Sequence, residues 1–200
     1  MSDALQGALL STFVGVPFGI AASFVAWFIV FRFLVPKFKF SDQISKIPGA
    51  SPDDAAGYRV KFKNVGRRNT IDVEVHSRLR VRNLSHRAEF SKTWTIVTLS
   101  SDTTHEPCIP KEATRSVVLW LDATQELSSP KFLAALQGSA PTLENLLSLG
   151  EEAELVVWVL AFDEFSGARK AFISKHYRLS DICEGKFGGR HGLEVVPLIR

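Results

Sequence analysis

The stretch Ile71-Asp-Val-Glu-Val-His-Ser-Arg-Leu-Arg-Val81 is the longest apolar–polar alternation in the chain. Ile71, Val73, Val75, Leu79 and Val81 share one face, with Ser77 filling the gap. Asp72, Glu74, His76, Arg78, Arg80 and Arg82 share the other. A period of two belongs to a β-strand, whose successive side chains point to opposite sides. The first set is therefore expected in a core, and the second in water or against a partner.

The same pattern extends on both sides. Upstream, Tyr58, Val60 and Phe62 alternate with Arg59, Lys61 and Lys63, and Asn64-Val-Gly-Arg67 reads as a turn. Downstream, residues 93–99 and 116–121 are β-branched runs. Ser129-Pro130-Lys131 opens a short helix with Ser129 as N-cap, Pro130 at N1 and Gly138 just past the end. Residues 141–149 read as a second helical turn. Residues 154–162 and 168–177 flank Asp163-Glu-Phe-Ser-Gly167, a hairpin signal with Gly at the left-handed position. Many short strands divided by turn signals argue a mainly β chain, a β-sandwich over residues 57–200.

The N-terminal part is different. No charged side chain stands between Asp3 and Arg32, and the run from Leu9 to Phe31 is apolar on every helical face. About 20 such residues cross a hydrocarbon core of about 30 Å. A cleaved signal peptide would need a basic start and a shorter apolar run. The expectation is one transmembrane helix over residues 9–35, after a short extracytoplasmic N-terminus at 1–8. Arg32, Lys37 and Lys39 follow the run and no cation precedes it, so the positive-inside rule places the C-terminal domain in the cytoplasm. These three cations are also expected to contact lipid headgroups. Residues 36–56, with Pro48, Gly49 and Pro52, read as a linker.

Charge and cysteine content narrow the function. In 200 residues, 24 Lys and Arg stand against 21 Asp and Glu, too balanced for an obvious nucleic-acid binder. Two cysteines exclude a disulfide-dense scaffold. The histidines show no metal-ligand spacing, and no phosphate loop or nucleophile motif is present, so neither enzyme activity nor a cofactor is expected. Asp163-Glu164 sits in a turn, where solvated acids are ordinary. Cys183, near Lys186, is a candidate thiol, although a lone Cys is more often inert. Residues 59–92 carry ten Lys and Arg against three acids. Arg59, Lys61, Lys63, Arg78, Arg80 and Arg82 there form either a solvated face balanced by the acidic 93–200 region, or a surface for anionic lipid or an acidic partner. Nucleic acid is not expected, because no aromatic stacking residues are interleaved on the charged face.

Three segments, in order, resemble the cytoplasmic domain of inward-rectifier potassium channels. Tyr58-Arg-Val-Lys-Phe-Lys-Asn64 with the strand to Val81 is similar to its first paired strands. Leu121-Asp-Ala-Thr-Gln-Glu-Leu-Ser-Ser-Pro130 is similar to its acidic loop. Asp163-Glu-Phe-Ser-Gly167, its flanking strands and the pair Asp181-Ile182 resemble its acidic turn and following strand. The resemblance covers most of residues 58–188 and implies an immunoglobulin-like sandwich that assembles around an axis under a membrane. The pore loop and second membrane helix are missing from this sequence, so potassium selectivity is not implied. The expectation is a single-pass membrane protein with a binding or assembly role. Its partners are membrane lipid and a second copy or another membrane protein. The alternative is a membrane-active effector, or channel-related subunit, triggered through the soluble domain.

Overall fold

The computed structural model describes residues 3–33, 36–49, 56–84 and 93–198; within the first helix it describes the side chains of 13–29. That helix, α1, runs over Asp3–Phe33 and contains Pro17. All its described side chains are exposed. Among the described residues no helix is long and apolar enough to cross a membrane. The expected span over residues 9–35 is therefore not supported by the described part of α1.

The remainder is mainly β. In chain order come β1 (Phe38–Phe40), β2 (Ile44–Ile47), β3 (Gly57–Asn64), β4 (Thr70–Arg82), β5 (Trp94–Ser101), β6 (His105–Ile109) and β7 (Thr114–Trp120). Two short helices follow, α2 (Pro130–Leu136) and α3 (Leu143–Leu147). Then come β8 (Glu152–Asp163), β9 (Arg169–Ile173), β10 (Ile182–Glu184), β11 (Lys186–Phe187) and β12 (Val195–Val196). Among the described residues the first ten strands form one sheet, ordered β10-β2-β3-β7-β5-β4-β8-β9, with β1 on β3 and β6 on β4. Rather than two separate sheets, one sheet curls over its own core. β5 is the joint: residues 94–99 pair with β4, and Ser100 and Ser101 pair with β7.

The two halves of the curl enclose a single core. Val60, Phe62 and Val117 from one half meet Val75, Leu79, Leu155 and Val157 from the other. Phe38 of β1 packs edge-on against Phe172 of β9, ring centroids 5.1 Å apart. Tyr177, fully buried, donates its hydroxyl to the Ser41 carbonyl at 2.6 Å, and its backbone pairs with Leu155.

Two expectations need correction. Part of the supposed linker belongs to the sheet: β1 and β2 both pair with β3, and Ile44 is fully buried. Residues 50–55 lie outside the described residues. Secondly, Ile71 is only half-buried, whereas Thr70 and Val73 are core residues. The register against β8 shifts between Ile71 and Glu74, and Asp72 adopts a positive φ of 49°. This bulge changes the alternation at the start of β4. From Val73 onward the alternation runs as expected.

β4 spans about 40 Å at ~3.3 Å per residue, which gives the domain two poles. The chain leaving α1 joins the Thr70 end, where Val65 and Gly66 donate their N–H groups to the Lys37 carbonyl at 2.9 and 3.1 Å. α2, α3 and Gly150 lie toward the Arg82 end, where Glu151 N–H donates to the Arg82 carbonyl.

Candidate functional site

The six domain cations do not form one surface. Arg59, Lys61 and Lys63 lie on β3, while Arg78, Arg80 and Arg82 lie on β4, with β7 and β5 between the two strands. Each set occupies the side of its strand away from the shared core. The curl therefore directs the two sets apart.

On β3 only Arg59 is exposed. Lys63 pairs with Glu112, and the hydrogen bond and charge of Lys63 hold that carboxyl below its ordinary range. Lys61 is 5% exposed, contrary to its expected surface position. Its ammonium donates to the Gly189 carbonyl at 3.0 Å and sits 5.5 Å from the Phe187 ring. The β11–β12 hairpin thus straps the outside of β3. Burial lowers the Lys61 pKa.

The β4 cations are half-buried and already engaged. Arg80 meets Glu154 at 2.9 Å, and Glu154, only 3% exposed, also contacts His176 Nδ1 at 2.8 Å. Arg82 approaches Glu152 at 3.7 Å, and Arg178 donates to that carboxylate at 2.8 Å. Arg80 stacks 4.7 Å from the Trp94 ring and Arg78 lies 5.2 Å from Trp158. Aromatic residues do interleave on this face, contrary to the local reading, because β5 and β8 supply them. The same neighbours bring the carboxylates, so the face is a mixed charge network rather than a bare basic one.

The acidic turn is structural. Asp163 is buried, and its Oδ1 accepts from Phe165 N–H at 3.1 Å, Ser166 N–H at 2.8 Å and Ser166 Oγ at 2.9 Å. Gly167 takes a positive φ of 64°, as the hairpin requires. Cys108 and Cys183 are unpaired and half-buried. No group of three or more His, Cys, Asp or Glu is placed to hold a metal among the described residues.

At the pole joined to α1, three turns are laced together. Asn64, fully buried, donates Nδ2 to the carbonyls of Arg68 and Ile109 at 2.9 and 3.2 Å, and accepts from Gly66 N–H at 2.9 Å. Asn69 Oδ1 accepts from Lys111 N–H at 3.1 Å, and its carbonyl faces Glu164 N–H at 3.5 Å. Between these turns opens a cleft of about 550 Å³ lined by Arg67, Arg68, Asn69, Lys111, Glu164 and Phe165. Sequence reasoning missed this cluster, since its members come from three separate turns. Of the expected headgroup contacts, Lys39 is exposed and Lys37 half-buried, while the Arg32 side chain lies outside the described residues.

No family model matches the chain, and no curated protein matches it. Among solved structures, the crystal structure of Spo0M, sporulation control protein, from Bacillus subtilis, is similar with a TM-score of 0.35 and 12% identity. The match covers 76% of this chain and 50% of that one, so this chain spans about half the length of Spo0M.

Proposed function

We propose that this chain is a single-pass, membrane-anchored binding and assembly protein rather than an enzyme. In this reading α1 is the anchor, with its N-terminus outside. The curled sheet is a cytoplasmic immunoglobulin-like domain related to that of inward-rectifier channels, without their pore. The observation that carries the reading is α1 itself. It is 31 residues long, has no charge between Asp3 and Arg32, and turns Phe13, Phe18, Phe24 and Trp27 outward at 79%, 77%, 67% and 59% exposure. A helix that packed on the domain would hide one such face. Apolar residues displayed all round suit lipid instead. Arg32, Lys37 and Lys39 then lie at the headgroup level, where the rule for topology puts cations on the cytoplasmic side.

Membrane fractionation tests the anchor: the chain is expected to resist alkaline extraction, and release into the supernatant would overturn the reading. A reporter active only outside the cytoplasm, fused after Arg200, should stay silent. The assembly role predicts a full-length chain that cross-links into oligomers in mild detergent. A chain that stays monomeric over a wide concentration range would overturn it.

A further inference from the structure

We propose that the pole formed by the 64–69, 110–113 and 163–167 turns is a membrane-surface contact, which stands the β domain end-on against an anionic bilayer. The inference rests on the reading of α1 as the anchor.

Four observations carry it. The first is connectivity. Phe33 ends α1 and Lys37 is already hydrogen-bonded to the 64–69 turn. Four residues reach at most about 14 Å, so this pole cannot be far from the end of α1, while the opposite pole is about 40 Å away along β4. The second is Phe165, 76% exposed at a hairpin tip. Its position is fixed, because Asp163 caps the turn through the Phe165 and Ser166 N–H groups. Apart from the Arg68 guanidinium beside it, this ring stands in water on a capped turn, and headgroup layers favour such rings.

The third is charge. Lys37, Lys63, Arg67, Arg68 and Lys111 stand at this pole against Glu112, Glu164 and the buried Asp163. The excess is positive, and anionic headgroups attract it. The fourth is that the ring and the charge are coupled. The Arg68 guanidinium lies 4.5 Å from the Phe165 ring centroid, so one group reaches phosphate while the other enters the interface. Lipid is thus favoured over a protein partner, whose surface would not need to sit beside the end of α1.

The test uses the full chain with Cys108→Ser and Cys183→Ser, reconstituted into phosphatidylcholine vesicles with or without phosphatidylserine. A nitroxide is placed by Phe165→Cys or, as a far-pole control, by Leu133→Cys, since Leu133 is 55% exposed on α2. In phosphatidylserine vesicles the label at 165 should gain oxygen accessibility and lose accessibility to an aqueous nickel chelate. The label at 133 should stay aqueous. Adding Arg67→Gln, Arg68→Gln and Lys111→Gln should return the label at 165 most of the way to the aqueous value. A label at 165 as aqueous as that at 133, in protein that floats with the vesicles, overturns the contact and leaves the anchor standing. A label shielded equally in both vesicle types, and only when the protein is oligomeric, overturns it in favour of a second copy. Protein that does not float at all overturns the anchor, and this inference with it.

Discussion

Asn64→Ala should destabilise the domain by about 3 kcal/mol. The side chain is fully buried and spans the 64–69 turn and the end of β6. Its two shortest bonds, to the Arg68 carbonyl and from Gly66 N–H, are both 2.9 Å. Each contributes about 1 kcal/mol net, and leaving buried groups short of partners adds about 1 kcal/mol more. The penalty is bounded because some groups keep a second partner. Gly66 N–H still meets the Lys37 carbonyl at 3.1 Å, and the Ile109 carbonyl still accepts from Thr70 Oγ1 at 3.3 Å. Asn64→Asp makes the argument sharper. An oxygen would then replace Nδ2 against two carbonyls, and burial would penalise the carboxylate, raising its folded pKa above the ordinary value of about 3.9. The variant is therefore least perturbed below that value and loses stability as pH rises through the raised folded pKa. The assay is urea unfolding of the full chain in mild detergent, followed by the fluorescence of Trp94, Trp120 and Trp158. A loss below about 1 kcal/mol for Asn64→Ala, or an Asn64→Asp variant whose stability is flat from about pH 4 to about pH 7, would refute the assignment of Asn64 as the tie of this pole.

Three further outcomes are expected. Gly150 and Gly167 both adopt a positive φ, but a Cβ at Gly150 would lie 2.2 Å from the Arg82 carbonyl, whereas nothing lies within 4 Å at Gly167. Gly150→Ala should therefore cost more than ~2 kcal/mol and Gly167→Ala about 1 kcal/mol in the same urea series. Burial alone would raise the Glu144 carboxyl, but hydrogen bonds from Lys46, at 2.7 Å, and Tyr58 outweigh it and hold the pKa low. Its contribution is present above the ordinary value of about 4.3 and is lost as pH falls through the lowered folded one. Glu144→Gln should flatten that acid limb of the stability curve. Changing Arg32, Lys37 and Lys39 together to Gln should leave insertion intact but remove roughly 3 kcal/mol of attraction to an anionic surface before screening, read as lost co-purification of anionic lipid. Unchanged lipid content would leave these cations only a role in setting topology.

The strand content was legible because a period of two is a local property. The faces of β3, and of β4 from Val73 onward, follow from the residues themselves, as do Pro130 at the start of α2 and Gly167 in the hairpin. The strands β1 and β2 were not legible, since three and four residues carry too little periodicity and are held in place by β3. The bulge at Asp72 depends likewise on the register against β8.

The candidate surface divides in the same way. Sequence alone placed cations on β3 and β4 and an uncharged apolar run ahead of them, because alternation and charge are written along the chain. Only the tertiary structure decided which cations remain open. Glu154, Trp94 and Trp158 reach the β4 arginines from other strands, and the β11–β12 strap covers Lys61 from more than a hundred residues downstream. The gathering of Arg67, Arg68, Lys111 and Phe165 at one pole was equally out of reach. Those residues become neighbours only when the sheet curls and its turns close on Asn64 and Asn69. That closure depends on pairings between strands distant in sequence, which no local pattern encodes.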